Sequence, residues 1–249
     1  FGSVRYQRNT LTSPVDQTVV DADYHSLELS FSIDGAARKL WDLAGNRMVT
    51  DSLSINNNVL AEITAASPRN VTVGNVLRLT SGQLNISDPD VSLVLADNST
   101  ISRATGTLLG TPSFAGKVTV RYTSSVASVT TGQELPSGAN VLDTLVIFTP
   151  DQSVTLGSDA RVSGALTLSS GTFDNDGPDG DFSLVFADGA AIRRATGTMT
   201  AAPVCEGVLD LQYISTVDSV TTGAEIPTGS GAVRHLSILG NKGVRLGGN

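Results

Sequence analysis

The stretch Val162-Ser163-Gly164-Ala165-Leu166-Thr167-Leu168-Ser169-Ser170-Gly171-Thr172-Phe173 reads as two short strands joined by a bend. Leu166 and Leu168 alternate with hydroxyl side chains at period two, the pattern of a half-buried strand. Ser170-Gly171 turns the chain at low conformational cost. A wall of a coil needs this pattern. Residues 73–84 repeat it at an offset of 89, and a longer repeat lies just downstream. Residues 93–136 and 184–227 align without a gap at an offset of 91, with 22 of 44 positions identical. Chance does not produce that, so the repeat governs the fold.

The identities include Arg103-Ala104-Thr105-Gly106-Thr107 against Arg194-Ala195-Thr196-Gly197-Thr198, and Ser128-Val129-Thr130-Thr131-Gly132 against Ser219-Val220-Thr221-Thr222-Gly223. Each copy closes on a Glu-apolar-Pro sequence. The second copy gains two residues, and the gain falls in an Asp-rich loop. A weaker third copy opens the chain, with Val4-Arg5-Tyr6 echoing Val120-Arg121-Tyr122 and residues 27–55 echoing 145–168. Organisation follows: a divergent N-terminal portion at 1–69, a repeat unit at 70–160, and a second at 161–249 that ends in mid-repeat.

Short strands recur throughout, as in Leu27, Leu29, Phe31, Ile33, in Val118, Val120, Tyr122, and in Leu209, Leu211, Tyr213. Clusters of Gly, Asn, Asp and Ser separate them. Residues 59–66 have some helical propensity, but β-branched residues argue against a helix there. Two all-β folds can use a unit near 90 residues. Tandem immunoglobulin-like sandwiches would be expected to bury a Trp in each domain, yet the one Trp is Trp41 in the divergent copy. A right-handed parallel β-helix, a β-solenoid with four coils of about 23 residues per unit, suits the pattern better.

The chain of 249 residues is 40% hydrophobic and 16% charged, with a net charge of −8, so its surface rests on Ser, Thr, Asn and Gly. That balance disfavours nucleic acid and anionic lipid as partners. No apolar run is long enough to insert into a membrane. The sequence opens without an initiator Met or a signal peptide, as expected of a processed chain or a segment of a longer one. One cysteine, Cys205, excludes an intramolecular disulfide framework.

The strings VSGALTLSSGTF (residues 162–173) and LVFADGAAIRRATGTM (184–199), followed by a Tyr-containing strand and SVTTGAEIP, resemble secreted bacterial repeat-rich β-solenoid surface proteins of the autotransporter-passenger and adhesin type. The resemblance implies an extracellular or cell-surface chain with a scaffold, adhesive or fibre role. It transfers no catalytic residue.

Candidate chemistry is sparse. Asp174, Asp176, Asp179 and Asp181 fall within eight residues, a density of hard oxygen ligands that suits calcium, while a solvated turn is the plainer reading. The previous copy keeps only Asp88 and Asp90 there. His25 and His235 lack a carboxylate or Cys at ligand spacing and read as structural or surface residues. Cys205 aligns with Phe114 and reads as a small buried apolar residue. Tyr6, Tyr122 and Tyr213 align and suggest a stacked aromatic ladder. Glu134 and Glu225 recur between copies, as do Asp97 and Asp188, which reads as turn chemistry. No constellation assigns roles to a nucleophile, an acid and a base, so the chain reads as a non-enzyme with no cofactor beyond calcium.

Both termini read as open coils, with Val4 and Tyr6 at one end and Val244 and Leu246 at the other. Unpaired edges invite pairing with a second copy, head to tail, or with flanking repeats of a longer chain. The sequence therefore predicts a structural protein of the bacterial surface or of an extracellular filament. An adhesin segment binding glycans or host and matrix surfaces is the first alternative, and a β-helix polysaccharide lyase or hydrolase the second.

Overall fold

The computed structural model describes residues 2–6, 16–30, 38–227 and 232–247. Phe31 and Ile33, expected on the strand that begins at Leu27, lie outside the described residues. The protein is all-β, and its parallel strands stack as a β-solenoid. The parallel pairing excludes the immunoglobulin-like alternative, whose sheets are antiparallel. Two compact units divide at Val118 and Thr119.

In the first unit each coil has three walls. One is built from Ser3–Tyr6, Tyr24–Leu29, the second half of Arg47–Ile55, Val76–Leu79 and Ser99–Arg103. Arg38–Leu43, Leu60–Ala65, Gln83–Asn85 and Thr107–Leu109 stack as another. Arg69–Val73, Val91–Leu95 and Ser113–Phe114 complete the third, on the first half of Arg47–Ile55. Leu60–Ala65, the centre of the stretch with some helical propensity, is thus strand, in keeping with its β-branched content. Contacts between side chains of neighbouring coils, such as Arg38 with Asp16, Arg5 with Glu28, Arg38 with Glu62 and Arg47 with Asp21, join residues 22 to 26 apart, about the length of one turn.

Period-two alternation supplies the core. Leu53 stacks on Leu77 and Leu77 on Ile101, while Leu29, Ile55 and Leu79 form a parallel column, all of them buried. Each such column removes apolar surface from water at about 25 cal/mol per Å2. The aliphatic groups meet their own kind one strand spacing, about 4.8 Å, above and below.

The second unit follows the same plan. Residues 144–148, 165–168, Ala191–Arg194, Leu209–Tyr213 and Val233–Ile238 form one wall. Val129–Thr130, 153–155, 172–174 and Thr198–Met199 form a second, and Ala160–Val162, Leu184–Phe186 and Val204–Cys205 a third. The columns Leu145, Leu166, Ile192, Leu211 and Ile147, Leu168 run through it.

The repeat seen in the sequence is a repeat of walls. Ser99–Arg103 corresponds to Ala191–Arg194, Thr107–Leu109 to Thr198–Met199, Ser113–Phe114 to Val204–Cys205, and Val129–Thr130 to Val220–Thr221. The older echo holds too: Leu27 stacks on Leu53 as Leu145 stacks on Leu166. The two inserted residues fall beside a single 3-10 turn at Pro178–Gly180. Gly82 and Gly171 occupy one corner of the coil in the two copies, with φ of 87° and 81°. A Cβ there would lie 2.3 Å from the Val59 carbonyl oxygen or 2.2 Å from that of Thr149, so only glycine lets the coils close.

Candidate functional site

The residues common to both copies converge on a buried ionic cluster. Ile192 and Arg194 share a period-two phase, so Arg194 faces inward, below Leu168 and above Tyr213 in the column. An arginine in an apolar stack must be neutralised there. Glu225, 1% exposed in its side chain, receives Nη1 of Arg194 at 2.5 Å. The same oxygen accepts the Tyr213 hydroxyl at 2.8 Å and the Gly223 amide at 3.0 Å. Nε of Arg194 donates to the Gly197 carbonyl at 2.8 Å. Burial, then the adjacent carboxylate, raises the Tyr213 phenol well above its usual range, which keeps it a donor.

The first copy carries the same residues. Nε of Arg103 donates to Gly106 at 2.7 Å, and Glu134 accepts from Tyr122 at 2.8 Å and from the Gly132 amide at 2.9 Å. Between Tyr and Glu the chain leaves the wall in a lateral loop. Its base is held by Ser124 Oγ on the Ala127 amide, and by Ser215 Oγ donating to the Asp218 carbonyl in the second copy. Its tip exposes Val126 (79%) and Val217 (66%).

Glu134 and Glu225 do lie in turns, closed by the Leu135 amide on the Gly132 carbonyl at 3.1 Å and the Ile226 amide on that of Gly223 at 3.3 Å, and each carboxylate is also buried, where it ties the turn back to a core tyrosine. One expectation changes here. Tyr122 and Tyr213 are buried and Tyr6 is half-buried, but they do not form a ladder: Tyr213 stacks on Arg194 and Ile238, and Tyr6 on Leu29. Tyr6 instead places its hydroxyl 3.2 Å from that of Tyr24, which burial and Tyr6 together push well above the ordinary phenol range.

The Asp-rich loop splits its carboxylates. Asp174 and Asp176 both approach Thr200 Oγ1 at 3.2 Å, and Asn175, buried, accepts the Ala201 amide at 3.0 Å. Asp179 and Asp181 sit exposed at the turn, Asp179 with φ of 61°. Among the described residues no three His, Cys, Asp or Glu side chains gather closely enough to hold a metal.

His25 Nδ1 lies 3.0 Å from Thr50 Oγ1. His235 does have a carboxylate partner, Asp210 at 2.9 Å, supplied by the adjacent coil and invisible to local spacing. Arg234 first, and His235 second, hold the Asp210 carboxyl down to about 2. Cys205 stacks on Phe186 as Phe114 stacks on Leu95; it is half-buried, and burial raises its thiol pKa, opposite to what a nucleophile needs.

Of the residues predicted at the coil ends, Val4 stacks on Leu27 and Val244 on Val220, each in its own unit. Leu246 is 83% exposed. Leu236 and Ile238, on the inward phase of the last wall, are also exposed.

A polar groove, missed by motif reading, lies on the outer surface of the second unit. The strand Leu142–Thr155 bulges: Phe148 pairs with Ser170 and Ser153 with Thr172, so residues 149–152 oppose Gly171 alone. The extra residues lift Pro150, Asp151 and Gln152 off the wall, with Asp151 at φ 59°. The groove beside them has a volume of about 670 Å3. No protein-family model, curated protein or solved structure matches the chain.

Proposed function

We propose that the protein is a non-catalytic structural solenoid of the bacterial cell surface or of an extracellular filament. The observation that carries this reading is where the residues shared by the two copies lie. Arg103, Tyr122, Glu134 and their counterparts Arg194, Tyr213, Glu225 are buried. Arg194 and Tyr213 both bond Glu225, Tyr122 bonds Glu134, and Arg103 and Arg194 each bond a backbone carbonyl three residues ahead. Repetition has kept what holds coils and loops in register. A catalytic centre would be one polar cluster, open to substrate, that breaks the repeat.

Rigidity is the physical service of such stacked coils. Ladder hydrogen bonds run along the stacking direction, and inward aliphatic columns bind each coil to the next. Outside, ion pairs join neighbouring coils, including Arg5 with Glu28, Arg38 with Asp16 and Glu62, Arg47 with Asp21, and Arg234 with Asp210. Self-association uses the apolar side chains that the outer described coils leave in water, chiefly Leu236, Ile238 and Leu246 in the second unit and Val4 in the first. A further coil, from a second copy or from flanking repeats, covers them.

Negative-stain electron microscopy of the purified chain, with sedimentation velocity across a concentration series, tests this. Filaments or concentration-dependent oligomers are expected, and Leu236→Lys should abolish them. A monomer at all concentrations would overturn self-association.

A further inference from the structure

We infer that the groove beside the 149–152 bulge is a binding site for a neutral oligosaccharide, a role beyond that of the scaffold. Its lining comes from four successive coils: Ser128, then Asp151 and Gln152, then Ser170 and Thr172, then Thr198. Strands in neighbouring coils lie ~4.8 Å apart, so the lining spans roughly 14 Å along the stack. That length suits a short oligosaccharide rather than a single sugar. A volume of about 670 Å3 is within the range of small-ligand sites.

The chemistry selects the ligand class. Hydroxyl and amide groups that both donate and accept predominate, which suits a ligand studded with hydroxyls. Thr172 and Thr198 already point their Oγ1 atoms to within 3.3 Å of each other, and Ser128 Oγ meets Gln152 Oε1 at 3.4 Å. Ser170 Oγ is buried without a hydrogen-bond partner, an unsatisfied polar atom in the wall of the groove. Asp151 is the single carboxylate of the lining. One carboxylate accepts a bond from a sugar hydroxyl, whereas glycoside hydrolysis generally uses two. Its charge, and the net −8 of the chain, work against uronates and other polyanions.

An aromatic surface stands next to the polar one. Phe148 pairs with Ser170 in register and is 42% exposed, with the Arg121 guanidinium 5.6 Å from its ring centroid. An exposed ring beside a hydroxyl-rich groove offers an apolar surface to the C–H side of a pyranose, with Arg121 over one face of the ring as a donor and Asp151 in the groove lining as an acceptor.

The test titrates the full chain with xylohexaose, cellohexaose and mannohexaose, and with hexagalacturonate as the charged comparison, by calorimetry and NMR. At least one neutral hexasaccharide should bind with Kd of about 1 mM or tighter. Thr198→Val and Phe148→Ala should each weaken it about tenfold. Asp151→Asn keeps the left-handed backbone that Asn tolerates, so a folded control exists whatever happens to the others. It too should weaken binding. No neutral binder, preference for hexagalacturonate, or affinity unchanged in all three variants would overturn the assignment. The self-association measurements are independent of these results, so either reading can fail alone.

Discussion

Replacing Glu225 with Ala is the sharpest test of the buried cluster. The carboxylate accepts from Arg194 at 2.5 Å, Tyr213 at 2.8 Å and Gly223 at 3.0 Å. Removing it strands a guanidinium whose side chain is 7% exposed, above a tyrosine that is 2% exposed. Breaking one partner of a buried pair costs ~3–5 kcal/mol, because the other charge is left uncompensated. In a chain of this size each kcal/mol lowers the melting point by roughly 2–4 °C, so a fall of about 6–20 °C is expected.

The damage should also be local. Stacked coils need not unfold together, so hydrogen exchange should accelerate first at Leu209–Tyr213 and the lateral loop that ends at Glu225. The double change Arg194→Leu with Glu225→Leu restores an apolar column below Leu168. It should recover ~2 kcal/mol or more relative to Glu225→Ala, because no uncompensated charge is left in the column. Urea unfolding with exchange mass spectrometry reads both quantities. Glu225→Ala within about 1 kcal/mol of the parent, or a double variant worse than the single, would refute the reasoning.

Leu166→Asp should unfold the coils around residues 144–194, since Leu166 is fully buried between Leu145 and Ile192; Asp176→Ala, which loses one contact to Thr200, should melt with the parent. Limited proteolysis separates the two, and equal sensitivity would reverse the inward and outward assignment. Gly171→Ala should cost more than ~1 kcal/mol, because a side chain at φ 81° would meet the Thr149 carbonyl, and thermal denaturation checks it. The folded pKa of Asp210 lies below its unfolded value of about 3.9. Its contribution to stability is therefore present above pH 4 or so and lost as pH falls through about 2. In Asp210→Asn that acid-induced loosening of Val233–Ile238 should vanish from exchange measurements over the same pH window.

The coils were legible because inward residues must be apolar and must recur at every turn. Leu166, Leu168 and Ile192 state their direction by type alone. Arg194 does not, although it shares its phase with Ile192: an arginine's type gives no inward direction, and the compensating Glu225 lies 31 residues ahead. His235 and Asp210 were missed for a related reason, since a coil brings together residues 25 apart, beyond any local motif. The bulge at 149–152 has no signature beyond Pro150 and a turn-forming Asp151. It arises from a mismatch between two neighbouring strands, which neither strand encodes alone.

The lateral loops of the second unit have a metric consequence. From Val129 the wall climbs through Val154, Phe173 and Met199, and one further coil brings it to Val220. Four strand spacings of ~4.8 Å set the two valine-tipped loops about 19 Å apart on the same side of the stack. Ser124 and Ser215 close the base of each loop and the glutamates tie its far end to a core tyrosine, so the stack sets the interval between the two. A binder that recognises one loop meets its double at a known distance, and linking two such binders gains avidity only if the tether matches about 19 Å.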